Sequence, residues 1–173
     1  AESRKVYDAF RAAGGNFIDT ADLYTNGTSE RFLGDFMAGH REQVVLATKY
    51  TLSNPGNDPN AAGNHRKNMM QSVEASLKRL KTDYIDLYWL HIWDFMTPVE
   101  EVMRAFDDLV RQGKILYVGI SDTPAWVIAR ADTMAELRGG LLAPRMRVPL
   151  LVIHDEDDVD VPWQDGKTYT EAW

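Results

Sequence analysis

Apolar side chains along the chain follow two different spacings. Segments with an apolar residue every three or four positions predict amphipathic helices, whereas short continuous apolar runs predict buried strands. The helices predicted in this way cover residues 2–13, 29–37, 65–80, 97–112 and 123–138. The predicted strands lie between them and cover residues 17–19, 44–49, 84–91 and 117–121. Regular alternation of helices and strands is typical of a parallel sheet with helical crossovers.

The fourth helix has the clearest start signal in the sequence. Thr97 is predicted as its N-cap, Pro98 occupies the first helical position and Glu100 the third. A threonine hydroxyl can accept from the unpaired N–H groups at a helix start, and proline has no N–H group to leave unpaired. We therefore expect the helix to begin here and to end at Gly113.

The pattern changes after residue 140. Residues 141–147 show no clear period, and residues 148–153 form a further apolar run, followed by an acidic loop and a short helix. The sequence therefore predicts an α/β fold, a partial (β/α) barrel with about four parallel βα units of a TIM-like barrel plus one grafted strand–loop–helix unit. We divide the chain into a barrel segment at 1–139, a junction at 140–147 and the grafted unit at 148–173.

Composition restricts the partners and the compartment. The chain has 173 residues, of which 45% are hydrophobic, enough for one domain with a substantial core. Its net charge of −7 argues against nucleic acid and anionic membranes as partners. The absence of cysteine fits a reducing compartment. Because no apolar run approaches the ~20 residues that span a bilayer, and no signal-peptide pattern is visible, we expect a cytoplasmic protein.

Three of the predicted strands end in an ionisable side chain: Asp19, Lys49 and His91. The carboxyl ends of parallel strands meet at one edge of the sheet, where active sites of α/β folds lie. Tyr24 follows Asp19 by five residues. A phenol has an ordinary pKa of about 10, and a neighbouring ammonium would help it give up a proton. Taken singly, the four residues could be a cap, a surface lysine, a core histidine and a packed loop aromatic. Together they favour a proton-donating pocket for a carbonyl that receives a hydride.

Four stretches of the sequence resemble the aldo-keto reductases. They are Gly-Asn-Phe-Ile-Asp-Thr-Ala-Asp-Leu-Tyr at 15–24, Leu-Ala-Thr-Lys at 46–49, Asp-Tyr-Ile-Asp-Leu-Tyr-Trp-Leu-His at 83–91 and Gly-Ile-Ser at 119–121. The resemblance covers roughly residues 1–139 and implies a (β/α)8 barrel that reduces carbonyls with NADPH. Because a complete barrel takes about 250 residues, we expect a partial barrel without the family's phosphate-binding loops.

The resemblance also implies a role for each of the four candidate residues. Tyr24 would be the proton donor. Lys49 and Asp19 would tune it, and His91 would orient a small carbonyl substrate.

The resemblance further implies an NADP(H) site at the end of the fourth strand. The family holds the nicotinamide carboxamide with a serine and an asparagine, which fall here on Ser121 and Asp122. The second of these is a carboxylate in this sequence, so it offers no amide donor at that position.

The tail from Pro149 to Trp163 resembles the late strand and acid loop of α/β-hydrolases, with the triad acid on Asp158. The sequence contains no Gly-x-Ser-x-Gly nucleophile elbow, so hydrolase activity is not expected. The acidic residues 155–160 could bind a hard cation, but their spacing matches no calcium loop. A solvated loop is the favoured interpretation.

Two functions of different classes remain open at this stage. One is an NADP(H)-dependent carbonyl reductase of the aldo-keto type. The other is a non-catalytic chimeric domain that keeps the four residues as a relic. In either case the edges of a partial barrel would be unpaired, and open edges promote association. We therefore expect a homodimer or a higher oligomer.

Overall fold

The computed structural model describes residues 2–53 and 58–138 and contains a four-stranded sheet with a helix before and after each strand. The helices are α1 Glu2–Ala12, α2 Thr28–Phe36, α3 Arg66–Leu80, α4 Val99–Arg111 and α5 Ala125–Arg138. The strands are β1 Phe17–Asp19, β2 Val45–Tyr50, β3 Ile85–Leu90 and β4 Ile115–Ile120. This alternation confirms the predicted α/β class.

All four strands are parallel and lie in chain order, β1-β2-β3-β4. In the register, Asp19 lies beside Ala47, and Lys49 lies beside Trp89. Parallel strands in chain order, connected by helices, form the arrangement of a partial TIM-like barrel. The carboxyl ends of the strands therefore meet at one edge of the sheet, as the sequence predicted.

The main core lies between the sheet and its helices. Tyr50 stacks on Tyr88 with 5.4 Å between ring centroids, and Phe106 of α4 meets both rings edge-on. All three side chains are fully buried, which gives the core a rigid aromatic centre. These contacts fix β2 and β3 against α4 and so fix the positions of the two strand ends that follow.

The opposite face of the sheet carries a second, smaller apolar cluster formed by Ala47, Leu87 and Trp89. Strand alternation places two further aromatic residues on this face, Phe17 and Tyr117. Phe17 is 48% exposed and Tyr117 is 51% exposed. This face, which would be the interior of a closed barrel, is therefore partly open to solvent.

The predicted start of the fourth helix is wrong by one residue. Pro98, with φ −59° and ψ 135°, is the N-cap of α4, and no side chain of the described residues caps this end. The Thr97 hydroxyl instead donates to Asp94 Oδ2 at 2.7 Å. Asp94 Oδ1 also accepts the N–H groups of Met96 and Thr97, so the loop before α4 closes on its own carboxylate. Thr97 therefore belongs to this turn and lies one residue before the N-cap of the helix.

Two loops at the carboxyl edge of the sheet are joined by a fully buried amide, Asn64. Its Nδ2 donates to the Ile92 carbonyl at 2.8 Å and to Thr51 Oγ1 at 3.1 Å. Its Oδ1 accepts the Asp94 N–H at 2.7 Å. The loops after β2 and β3 are therefore held together above the strand ends.

Every helix in the described ranges is too short or too polar to cross a membrane. The predicted junction at 140–147 and the predicted strand–loop–helix unit at 148–173, with its acidic loop, lie outside the described residues.

Candidate active site

The centre of the site is an ion pair between the ends of two neighbouring strands. The ammonium of Lys49 on β2 contacts Asp19 Oδ2 at the end of β1. The same ammonium donates to the Thr20 carbonyl oxygen at 2.9 Å. The Lys49 side chain is 11% exposed, whereas that of Asp19 is 44% exposed. The cation is therefore enclosed and oriented, while its partner still meets solvent.

Tyr24 brings an aromatic ring to the same place from the loop between β1 and α2. Lys49 Nζ lies 5.3 Å from the centroid of this ring, within the range of a cation–π contact. The ring also meets the His91 imidazole edge-on, with 6.2 Å between centroids and an angle of 80° between planes. Because Tyr24 is 40% exposed, a molecule arriving from solvent can reach it.

His91 follows β3 and is half-buried at this edge. Burial and the nearby Lys49 ammonium lower the pKa of its imidazole below the ordinary value of 6.5, and the carboxylates of Asp19 and Asp122 oppose them. The ring is therefore neutral at pH 7, with one N–H donor and one acceptor nitrogen. Its Nδ1 is buried and has no hydrogen-bond partner within the described residues. A neutral imidazole of this kind can donate to an incoming carbonyl oxygen.

Ser121 and Asp122 lie directly after β4, beside His91. The Ser121 hydroxyl donates to the His91 carbonyl oxygen at 2.7 Å, which ties the two strand ends together. The Asp122 backbone is left-handed, with φ 45°, and its carbonyl oxygen accepts the Trp93 N–H at 3.1 Å. The structure thus brings these two residues to the same edge as Asp19, Lys49 and the His91 ring.

Behind this edge lies a buried polar cluster that the sequence analysis did not single out. Glu30 of α2 is fully buried and accepts from Thr48 Oγ1 at 2.7 Å and from Arg79 Nε at 2.5 Å. Asp22 is 3% exposed and lies in the loop that carries Tyr24. Burial, and then the charge of Glu30, raise the pKa of Asp22 from 3.8 to about 7, against the opposing charge of Arg79. Neither carboxylate had a recognisable signal, because acidic residues near a helix start are usually exposed.

Asp22 predicts a dependence of stability on pH. The folded protein holds the Asp22 proton more tightly than the unfolded chain, because burial raises this pKa to about 7. The contribution of the Asp22 proton to the free energy of unfolding is therefore complete below about pH 4 and is lost as the pH rises to about 7. Asp22→Asn removes this ionisation. A tenfold change in proton affinity is worth about 1.4 kcal/mol. On going from pH 4 to pH 8, we therefore expect the free energy of unfolding of the variant to rise by at least about 2 kcal/mol relative to that of wild type.

Urea unfolding of both proteins at pH 4 and pH 8 measures this difference. The exposed Asp83 provides a matched control, because Asp83→Asn should shift stability little at either pH. An Asp22→Asn variant with the same offset from wild type at both pH values would contradict a buried, protonated Asp22.

Comparison with known proteins decides the family. A sequence model described as "Aldo/keto reductase family" matches residues 1–149. The chain belongs to the aldo/keto reductase family. This confirms the resemblance seen in the four sequence stretches. It also agrees with a fold in which the candidate residues gather at the carboxyl ends of parallel strands.

Curated members of the aldo/keto reductase family share close to half of their aligned residues with this chain. A norsolorinic acid reductase of Aspergillus flavus is 48% identical over 146 residues, which cover 80% of this chain and 38% of that protein. A norsolorinic acid reductase of Emericella nidulans is 51% identical, covering 78% of this chain and 36% of that protein. An aryl-alcohol dehydrogenase [NADP(+)] of Phanerodontia chrysosporium is 46% identical, covering 79% and 38%. This aldo/keto reductase chain thus spans less than two fifths of the length of these relatives.

Across residues 2–53 and 58–138, no three His, Asp or Glu side chains group closely enough to hold a metal ion.

Proposed function

We propose that this chain carries the proton-donating site of an NADP(H)-dependent carbonyl reductase. The observation that supports this most strongly is the enclosed Lys49 ammonium, which is paired with Asp19 and lies beside the Tyr24 ring. An ammonium fixed beside a phenol can stabilise the negative charge that remains after the phenol has donated its proton to a substrate. The arrangement therefore suits the transfer of a proton to a carbonyl oxygen.

Each residue has a separate task in this proposal. Tyr24 Oη donates its proton to the carbonyl oxygen, and the Lys49 ammonium stabilises the phenolate that remains. Asp19 holds the ammonium in position. The neutral His91 ring donates an N–H to the same carbonyl oxygen and so orients the substrate. NADPH, when bound, supplies the hydride that reaches the carbonyl carbon.

The residues around the strand ends fit a nicotinamide amide in one respect. The indole Nε1 of Trp89 is buried and has no hydrogen-bond partner among the described residues. A buried N–H donor of this kind is usually paired, so a polar group entering here would find a donor ready to bind. Ser121 and Asp122, at the adjacent strand end, are the residues we propose to meet the carboxamide.

We propose an aromatic aldehyde or ketone as the substrate class. The support is the names of the relatives, which describe reductases of norsolorinic acid and a dehydrogenase of aryl alcohols. The Tyr24 ring, which is 40% exposed at the carboxyl edge of the sheet, offers an aromatic contact to such a substrate.

Two measurements on the wild-type chain test this function. Quenching of protein fluorescence by NADPH reports cofactor binding, and absorbance at 340 nm reports NADPH oxidation with 4-nitrobenzaldehyde. We expect saturable binding and slow turnover. An absence of binding at millimolar NADPH would remove the reductase function.

A second candidate function is a non-catalytic domain that associates with itself. The partly open sheet face favours it, because Phe17 and Tyr117 are each about half exposed there. We propose a homodimer or a higher oligomer. Light scattering across a range of concentrations should give at least twice the chain mass, and a monomer at high concentration would contradict self-association.

A further inference from the structure

The loop that carries Tyr24 is attached to two elements. At its start, the N–H groups of Thr20 and Asp22 donate to the carbonyl oxygens of Ala47 and Lys49 on β2, at 2.9 and 3.1 Å. At its end, the Tyr24 carbonyl oxygen accepts the Gly27 N–H at 3.2 Å, so the loop turns directly into α2. The position of Tyr24 therefore depends on how α2 is placed against β2.

Glu30 fixes that placement from within the protein. It lies in the first turn of α2 and is fully buried. One carboxylate oxygen accepts from Thr48 Oγ1 at 2.7 Å, and Thr48 immediately precedes Lys49 on β2. The other accepts from Arg79 Nε of α3 at 2.5 Å. One side chain thus joins the helix after Tyr24 to the strand that carries Lys49.

A buried ion pair stabilises a fold less than its charges suggest. Taking both charges out of water costs free energy, and the attraction between them offsets this cost only in good geometry. Apolar side chains of similar volume often stabilise a fold as well or better. A charged pair with an added hydroxyl donor does fix orientation, because each hydrogen bond restricts an angle as well as a distance. The Glu30–Thr48–Arg79 cluster therefore suits the placement of α2 better than its stabilisation.

We propose that Glu30 is a positioning residue for proton transfer: through Thr48 and Arg79, it holds Tyr24 against the Lys49 ammonium. This inference rests on the proposed function for its kinetic consequence, but its geometric consequence stands apart from catalysis. Without the cluster, α2 shifts on β2, and the phenol moves away from the cation. A displacement of about 1 Å at reacting groups can cost about 100-fold in rate.

The principal test replaces the ion pair with apolar side chains, in the double variant Glu30→Leu/Arg79→Met. This variant removes both charges of the ion pair together, so we expect it to fold with a melting temperature near that of wild type. We expect kcat for 4-nitrobenzaldehyde to fall by about tenfold or more. The KM for the aldehyde and the dissociation constant for NADPH should change by less than about threefold, because neither ligand contacts Glu30 in this account.

Two single variants at Thr48 provide a matched pair and a second route if the double variant does not fold. Thr48→Ser keeps the hydroxyl that donates to Glu30 and should keep most of kcat. Thr48→Val keeps the shape and loses the hydroxyl, so kcat should fall by several-fold. Arg130→Met, which breaks an exposed pair between α5 and Glu100 of α4, controls for the loss of an arginine and should leave kcat unchanged.

An NMR readout separates this inference from the proposed function. The Lys49 ammonium lies beside the Tyr24 ring, so the Lys49 ε protons should show an upfield ring-current shift in wild type. A smaller shift in the folded double variant or in Thr48→Val, together with lower kcat, supports positioning. A folded variant with wild-type kcat and wild-type shift would overturn it. If wild type shows no turnover, the proposed function fails and the shift alone decides the inference.

Discussion

Tyr24→Phe should lower kcat for carbonyl reduction by about 10²–10⁴-fold, the usual contribution of a positioned general acid. The substitution removes only the phenolic oxygen. The ring contacts with Lys49 and His91 remain, so the fold and the open edge of the site are expected to stay intact. Steady-state NADPH oxidation at 340 nm measures the loss, and fluorescence titration should show NADPH affinity within about threefold of wild type.

Tyr117→Phe makes the same chemical change at a similarly exposed tyrosine on β4 and serves as the control. It should retain wild-type kcat. If Tyr24→Phe kept more than about a tenth of the wild-type kcat, Tyr24 would not be the proton donor, since a general acid contributes at least about 100-fold.

Arg41→Met should lower the free energy of unfolding by about 3–5 kcal/mol, the usual effect of removing one partner of a buried ion pair. The guanidinium donates to Asp86 Oδ2 at 2.6 Å, to the Val44 and Tyr84 carbonyl oxygens at 2.8 and 3.0 Å, and to Thr82 Oγ1 at 3.1 Å. It also lies over the Tyr84 ring, 4.0 Å from the centroid. Both charged side chains are less than a fifth exposed, so water replaces few of these bonds.

Urea unfolding followed by circular dichroism measures this loss, with Arg130→Met as the control. Arg130 pairs with Glu100 at the surface, with side chains 57% and 35% exposed. Exposed pairs contribute about 0–1 kcal/mol, so the control should change little. Equal effects of the two substitutions would contradict a structural role for the Arg41 cluster.

Much of the fold follows from the sequence, because the spacing of apolar residues differs between helices and strands. The strand that ends at Asp19 was predicted with its observed bounds, and the strand of Lys49 within one residue at each end. Parallel strands bring their carboxyl ends together, so the sequence also indicated that Asp19, Lys49 and His91 would lie at one edge. The assignment of Tyr24 to the same place depended on the family resemblance as well as on spacing.

The buried charges could not be predicted in this way. Glu30 and Arg79 are 49 residues apart, and Arg41 and Asp86 are 45 apart. All four are charged residue types, and charged side chains are usually exposed. Whether such a residue is buried depends on which distant elements pack together, and periodicity along the chain carries no information about that.

The start of α4 shows the same limit on a smaller scale. The sequence Thr97-Pro98 indicates a capped helix, but both the N–H and the hydroxyl of Thr97 donate to the Asp94 carboxylate, which holds Thr97 in the preceding turn. Asp94 is itself positioned by the Asn64 N–H, which donates to it at 2.8 Å from another loop. A local signal was therefore overridden by a contact between loops that are 30 residues apart.

We propose that Tyr24, beside the Lys49–Asp19 pair, delivers a proton to a substrate carbonyl. Product analysis after incubation of the wild-type chain with NADPH and 4-nitrobenzaldehyde tests it most directly, with Tyr24→Phe in parallel. We predict that wild type forms 4-nitrobenzyl alcohol in step with NADPH consumption and that the variant forms almost none. No alcohol from wild type, or equal amounts from both proteins, would contradict the claim.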